Sequence, residues 1–242
     1  MRYETVVQGI FLHRPNRFIA HVALDGAETV VHVKNTGRCR ELLVPGCTVW
    51  LSPAANPARK TKYDLFAVEK ALPGGGTRLI HMDSQAANDV ATEWLRAKLP
   101  NALIRREMRY GASRFDFCIE TEAGKGFLEV KGVTLEQDGV ARFPDAPTER
   151  GVRHIRELMD CRAAGFGAAI LFVVQMKGVR CLEPNDATHP AFGAVLREAV
   201  AAGVRVLAVD CRTAPDSIAI DGQIPVILHG GTDHARDITE CI

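Results

Sequence analysis

Through the first 80 residues, apolar positions recur at every second place, the period of strands with one buried face. Val6–Leu12, Phe18–Leu24, Thr29–Val33, Thr48–Leu51 and Tyr63–Glu69 each read as strands. Asp25-Gly26, Asn35-Thr-Gly37, Pro45-Gly46 and Asn56-Pro57 supply turn chemistry between them. No amphipathic helix of useful length interrupts the run. Five or six short strands in so short a stretch predict a small closed barrel of OB-like type, with an SH3-like barrel as the alternative.

Gly74-Gly-Gly76, after Pro73, reads as a linker or a loose hairpin tip, with the linker preferred because no strand and helix flank it to cradle phosphate, and the rhythm changes beyond it. Ser84–Leu99 spaces Ala87, Val90, Ala91, Trp94 and Leu95 as a helix does, and Pro100 stops it. Ile104–Arg109, Arg114–Ile119 and Gly126–Val130 read as strands, and Asp138-Gly139 as the turn of a further small hairpin. Thr148 caps a helix with Val152, Ile155, Leu158 and Met159 on one face, ending at Gly165. The unbroken apolar run Ala168–Val174 fits a strand covered on both faces. Pro190–Ala202 is a helix ended by Gly203, and Val204–Val209 a second buried strand. The order α-β-β-β-α-β-α-β predicts a mixed sheet flanked by helices. The fold class is therefore mixed α/β (α+β), with a barrel over residues 1–80 and a second domain over 81–242.

Composition adds an asymmetry. Net charge is only +1, but residues 1–80 carry 11 Lys/Arg against 6 Asp/Glu, a net +5, whereas 81–242 carry 19 against 23, a net −4. A basic module joined to an acidic one points to a polyanionic partner. Seven cysteines, an odd number without a CxxC pair, argue against a disulfide framework or a cysteine zinc site and for buried thiols. No apolar run approaches the roughly 20 residues of a membrane helix. No secretory signal follows Met1, so a cytoplasmic protein without a membrane partner is expected.

The most informative stretch is Arg114-Phe-Asp-Phe-Cys-Ile-Glu120 followed by Phe127-Leu-Glu-Val-Lys-Gly132. Alternation puts Phe115, Phe117 and Ile119 on one side and Asp116 on the other; in the next strand it pairs Glu129 with Lys131. A turn at Ala123-Gly124 would set Asp116 opposite Lys131 and diagonal to Glu129, at about 7–8 Å between backbones. Two carboxylates with the Val130 carbonyl suit a hard ion, Mg²⁺ or Mn²⁺. Such an ion lowers the pKa of bound water and polarises a phosphodiester, and Lys131 is placed to orient that water or steady the developing charge. Glu93, on the preceding helix, is a candidate outer carboxylate; Gln175, at the end of the central strand, is a candidate to position water or phosphate. The plainer alternative is an exposed cross-strand ion pair, which contributes only about 0–1 kcal/mol.

Six blocks in order carry a resemblance: His32-Val-Lys-Asn-Thr-Gly-Arg38, Leu42-Leu-Val-Pro-Gly46, Asn56-Pro-Ala-Arg-Lys-Thr-Lys-Tyr63, Tyr110-Gly-Ala-Ser-Arg-Phe-Asp116, Leu128-Glu-Val-Lys-Gly-Val-Thr134 and Phe143-Pro-Asp-Ala-Pro-Thr-Glu-Arg-Gly151. Over nearly its full length the chain resembles the SfsA family, the sugar fermentation stimulation proteins. Its D-x12-E-x-K within α-β-β-β-α-β is similar to the PD-(D/E)xK phosphodiesterases. The resemblance implies an N-terminal OB-like domain, a restriction-endonuclease-like C-terminal domain, and DNA binding linked to regulation of sugar (maltose) catabolism. It carries Asp116, Glu129 and Lys131 onto the superfamily's catalytic positions. Where that pattern has Pro before the first Asp, this chain has Phe115.

The expected partner is DNA, bound with little sequence specificity. In the barrel, Arg14, Arg17, Lys34, Arg38, Arg40, Arg59, Lys60 and Lys62 are candidates to track a phosphate backbone, with Tyr63 as a stacking surface and Phe18 in the core. Arg150, Arg153 and Arg156 line the helix that starts after Thr148 and are candidates to hold a phosphate there; Asp145 is a further carboxylate near the metal. The eight histidines show no metal-ligand spacing; His154 is the one that falls near the site, and it reads as a surface residue. The alternative function is a non-catalytic DNA-binding regulator that keeps a nuclease-like fold. The oligomeric state is open, a homodimer being one option.

Overall fold

The structure, a computed structural model, describes residues 1–228 except Thr36, Pro57 and Ala112. His229, His234, Cys241 and parts of the turns predicted at 35–37 and 56–57 lie outside the described residues.

The alternating segments form β1 (Val7–Asn16), β2 (Ile19–Leu24), β3 (Ala27–Val33), β4 (Thr48–Pro53), β5 (Tyr63–Ala71) and β6 (Thr77–His81). They pair in the order β3-β2-β1-β4-β5-β6, and a parallel β3–β5 contact at His32–Asp64 and Val33–Leu65 closes five of them into an OB barrel. Inward positions such as Phe11, Val22, Val31, Val49, Leu51 and Leu65 fill it. Of the two readings of Gly74–Gly76 the hairpin tip holds, not the linker: it joins β5 and β6, whose strands meet at Ala71 and Thr77. Gly75 and Gly76 take φ of 90° and 78°, a turn conformation open to glycine.

The second unit starts with α1 (Ala86–Lys98), followed by β7 (Leu103–Tyr110), β8 (Ser113–Thr121) and β9 (Gly124–Val133). After the short β10 (Glu136–Gln137) and β11 (Val140–Phe143) come α2 (Glu149–Ala163), β12 (Gly167–Val174) and β13 (Cys181–Pro184). The described chain closes with α3 (Pro190–Ala201), β14 (Arg205–Ala214) and β15 (Ser217–Gln223). The main sheet runs β15-β14-β12-β9-β8-β7, with β9, β12 and β14 parallel and the outer strands antiparallel. The apolar β12 lies in the middle, as its sequence requires. The sequence pattern does not show β13 or the edge strand β15: one is four residues long, the other has only Ile218 and Ile220 among polar neighbours and Gly222.

Two apolar layers sandwich this sheet. One joins Ala87, Val90, Ala91 and Leu95 of α1 to Phe117, Leu128, Val130 and Leu171. The other joins Ile155 and Leu158 of α2 and Phe192 and Leu196 of α3 to Phe127, Ile170 and Phe172, and continues without a break into the barrel core. Three ion pairs reinforce the junction: Lys34–Asp83 at 2.6 Å, Lys70–Glu136 at 2.7 Å and Arg78–Glu136 at 2.9 Å. Of the six described cysteines all but Cys47 are buried. Among the described residues no helix is long and apolar enough to cross a membrane.

Candidate functional site

The hairpin of β8 and β9 turns at Glu122-Ala123, because Thr121 pairs with Gly124. That is one residue earlier than Ala123-Gly124, and the register moves with it. Phe117 pairs with Leu128 and Cys118 with Phe127, so the same register sets Asp116 against Glu129 rather than against Lys131. The ladder stops at Phe117, and strict alternation stops there too. Phe115 packs on Phe127 at 5.5 Å and near His154 at 6.4 Å, whereas Phe117 and Ile119 lie in the layer beneath α1. Across β7, Glu107 falls in the gap between paired Arg106 and Met108, with φ of 57°. The expectation that Phe115, Phe117 and Ile119 share one side therefore fails at this local irregularity.

The irregularity is what brings the carboxylates together. With β8 out of the ladder, the Val130 N–H donates to Asp116 Oδ2 at 2.8 Å, and Asn88 Nδ2 of α1 donates to Asp116 Oδ1 at 2.9 Å. In an extended strand the N–H and carbonyl of one residue leave on the same side, which keeps the Val130 carbonyl a candidate donor beside Asp116. Burial, then the nearby charge of Glu129, push the Asp116 carboxyl above its ordinary value. Glu129 is 3% exposed. Burial would raise its pKa too, but hydrogen bonds from His154 and Lys131 outweigh it and hold the carboxyl below the usual range. Both donors use one oxygen: Glu129 Oε1 accepts from His154 Nδ1 at 2.6 Å and from Lys131 Nζ.

The other oxygen, Glu129 Oε2, is buried without a hydrogen-bond partner among the described residues. An orphaned carboxylate oxygen costs free energy unless something outside the chain satisfies it. Asp116, Glu129 and Val130 thus present an oxygen-rich donor set with one oxygen already free, which fits a hard divalent cation keeping several waters. His154, which the sequence pattern places at the surface, is instead buried at the centre. Its Nε2 lies 3.3 Å from Arg150 Nε, so one assignment satisfies the whole chain: Arg150 donates to Nε2, and Nδ1–H donates to Glu129. The sequence does carry a signal for it. Gly151, His154, Leu158 and Cys161 recur at helical spacing, and all are buried on α2.

The matches to known sequences agree with this architecture. The SfsA N-terminal OB domain model covers residues 12–80, and the sugar fermentation stimulation protein RE domain model covers 85–217. A sugar fermentation stimulation protein homolog of Clostridium beijerinckii is 52% identical over 231 residues, 94% of this chain and 100% of that one. Another, from Desulfitobacterium hafniense strain Y51, is 52% identical over 233 residues, 96% of this chain and 100% of its own. The chain belongs to the sugar fermentation stimulation (SfsA) family. It is also similar to the solved structure of Pyrococcus furiosus SfsA in complex with Ca²⁺, with a TM-score of 0.81 and 29% identity over 94% of this chain and 98% of that one.

Several residues singled out in the sequence have direct partners other than the carboxylates. Glu93 binds the N-terminal amine at 2.7 Å and is 58% exposed, so the α1 residue that reaches Asp116 is Asn88. Gln175 is buried and donates to the Asp83 carbonyl at 2.9 Å, its Oε1 packed against Gly132. Asp145 is exposed and lines a cavity of about 310 Å³ between the domains, where it approaches Gly37 of the barrel. Among the basic residues, Arg14 is an internal tie, donating to the carbonyls of Arg38 (2.8 Å) and Asn35 (2.8 Å) and to that of Arg17. Arg59 is held by Asp64 at 2.8 Å, and Lys34 by Asp83. Arg17, Arg38, Arg40, Lys60, Lys62, Arg150, Arg153 and Arg156 are exposed. The first three line a groove of about 710 Å³ with Pro15, Pro45 and Ala146. Phe18 is not in the core: it is 45% exposed beneath the Arg17 guanidinium, 4.9 Å from its ring centre. Tyr63 is half-buried against the core.

Proposed function

We propose that the chain binds DNA through the basic groove of its barrel and hydrolyses phosphodiester bonds at Asp116, Glu129 and Lys131 with a divalent cation, in the service of sugar-catabolism control that the family name implies. The observation that carries this reading is the free Glu129 Oε2, buried beside Asp116, whose own carboxyl is pushed up by burial and by Glu129. A relative of the same fold is described in complex with Ca²⁺, a cation with the same preference for oxygen donors as Mg²⁺. Asp116, Glu129 and the Val130 carbonyl would hold the ion, Mg²⁺ or Mn²⁺, which supplies polarisation of the phosphate and an acidified water. His154 fixes the rotamer of Glu129, leaving Oε2 available. Lys131, half-buried on Glu129 Oε1, orients the attacking water or neutralises charge on the phosphoryl oxygens. Arg150, exposed behind His154, is placed to take a neighbouring phosphate. Nicking of supercoiled plasmid with Mg²⁺ or Mn²⁺ tests this reading, with Asp116→Asn and Lys131→Met as variants. Loss of nicking with DNA binding retained supports it, and equal nicking by wild type and both variants overturns it.

A second reading is a DNA-binding regulator without turnover. It is favoured by how much of the polar network is satisfied without an ion: Asp116 accepts one bond on each oxygen, and Lys131 and His154 both engage Glu129 Oε1. Wild-type protein that binds DNA with strong salt dependence yet never nicks it in either metal would select this reading.

A further inference from the structure

The outer face of the barrel carries a second constellation, unrelated to the carboxylates of the hairpin. His13 of β1 and His21 of β2 are direct cross-strand partners at a point where the β1 register is irregular. Their side chains therefore leave the same face, and their rings stack at 4.2 Å with 19° between planes. Glu28 of β3 pairs with Ala23, two positions along β2 from His21, and so reaches the same spot diagonally. Its Oε1 lies 2.5 Å from His21 Nδ1 and 3.9 Å from His13 Nε2. One nitrogen from each ring and one carboxylate oxygen all fall within 4.8 Å of one another. Two stacked imidazoles thus share a single carboxylate, held most closely by His21.

We propose that His13, His21 and Glu28 form a binding site for a divalent transition ion of the zinc class. Imidazole nitrogen with one carboxylate is the donor set such ions prefer, whereas Mg²⁺ and Ca²⁺ select oxygen. Ligand atoms around tetrahedral zinc stand about 3.3 Å apart, given bonds of about 2.0–2.2 Å. Drawing these three in needs only side-chain rotation, and they are 58%, 23% and 56% exposed. Three protein ligands leave a coordination position open. His13 also lines the basic groove with Arg14, Arg17, Arg38 and Arg40, so the proposed site adjoins that groove.

The test uses the full, tag-free, metal-stripped chain, titrated calorimetrically with Zn²⁺ and separately with Mg²⁺. Wild type and Asp116→Asn are expected to share one Zn²⁺ site of equal affinity that the histidine variants lose, whatever Zn²⁺ the hairpin carboxylates take up besides. His13→Gln and His21→Gln should weaken Zn²⁺ roughly a hundredfold, since removing a ligand costs more than the 10–100-fold typical of its supporting shell. Melting temperatures without metal should be unchanged in these surface variants, and the Co²⁺ form should lack thiolate charge-transfer bands. Zn²⁺ affinity unaltered in both histidine variants, thiolate bands with Co²⁺, or no Zn²⁺ binding by wild type would each overturn the proposal. Nuclease activity enters none of these readouts, so the site stands or falls separately from the hairpin carboxylates.

Discussion

Asp116 Oδ2 accepts the Val130 N–H at 2.8 Å, which ties the carboxylate to the residue flanked by Glu129 and Lys131. A group so placed is held in a medium that disfavours its charge, beside a like charge that disfavours it further. Its native pKa lies above the ordinary 3.8, so its contribution to stability is fully present below that value and is lost as pH rises through the raised one. Asp116→Asn should therefore match or exceed wild type in stability at pH 7, raising Tm by about 2–4 °C if the gain approaches 1 kcal/mol, while abolishing nicking. Thermal melts across pH check the sign: the advantage of Asn should shrink in acid.

Glu129 behaves oppositely. Its depressed native pKa contributes stability above the ordinary 4.5, lost as pH falls through the native value. His154→Leu removes one of the two donors and leaves Glu129 Oε1 to Lys131 alone. Urea unfolding should show a loss of about 1–3 kcal/mol at pH 7 that narrows in acid. In the variant, the acid limb of any metal-dependent nicking should move to higher pH; a limb that stays put would remove His154 from the site.

Gly132, immediately after Lys131, allows a close approach from the next strand. A Cβ there would stand 2.5 Å from Gln175 Oε1, and Gln175 is 1% exposed with its amide donating to Asp83. Gly132→Ala should destabilise by about 1–3 kcal/mol through this overlap. Adding Gln175→Ala should recover part of the loss, and a double-mutant cycle measures the coupling. Strict additivity would show that the side chain yields without cost.

The basic residues of the barrel divide into two kinds by their partners. Arg17, Arg38 and Arg40 face the groove, whereas Arg59 is engaged by Asp64, whose carboxyl is drawn down by Arg59 and His32 despite burial. Arg17→Glu, Arg38→Glu and Arg40→Glu together should flatten the slope of log K against log salt by roughly 0.9 for every phosphate no longer neutralised. Arg59→Ala should instead lower barrel stability and leave that slope unchanged. Filter binding across salt concentrations, beside urea melts, separates the two.

Alternation and turn chemistry are enough to place every barrel strand except the last, because each strand has one face inside. The same alternation misleads at Phe115: strand regularity breaks beside Glu107, and the shared side assigned to Phe115, Phe117 and Ile119 does not exist. A one-residue difference in the turn likewise shifts the register, so that its extension places Glu129 rather than Lys131 opposite Asp116. Long-range partners leave weaker traces. Asn88 looks like an ordinary helix position, and Glu93 stands out for its chemistry although its neighbour is the chain's own amine. His13 and His21 are eight residues apart, no metal-ligand spacing in sequence, and only the β1–β2 register brings them side by side.

The apolar layer that runs unbroken from the barrel into the α2 side of the sheet has a mechanical meaning. With Lys34–Asp83, Lys70–Glu136 and Arg78–Glu136 bracing the same junction, packed and ion-paired residues, not an extended linker, join the barrel to the second unit. On the function proposed above, that packing would act like a ruler: a duplex held at the barrel groove would meet the hairpin carboxylates at a set distance along its axis.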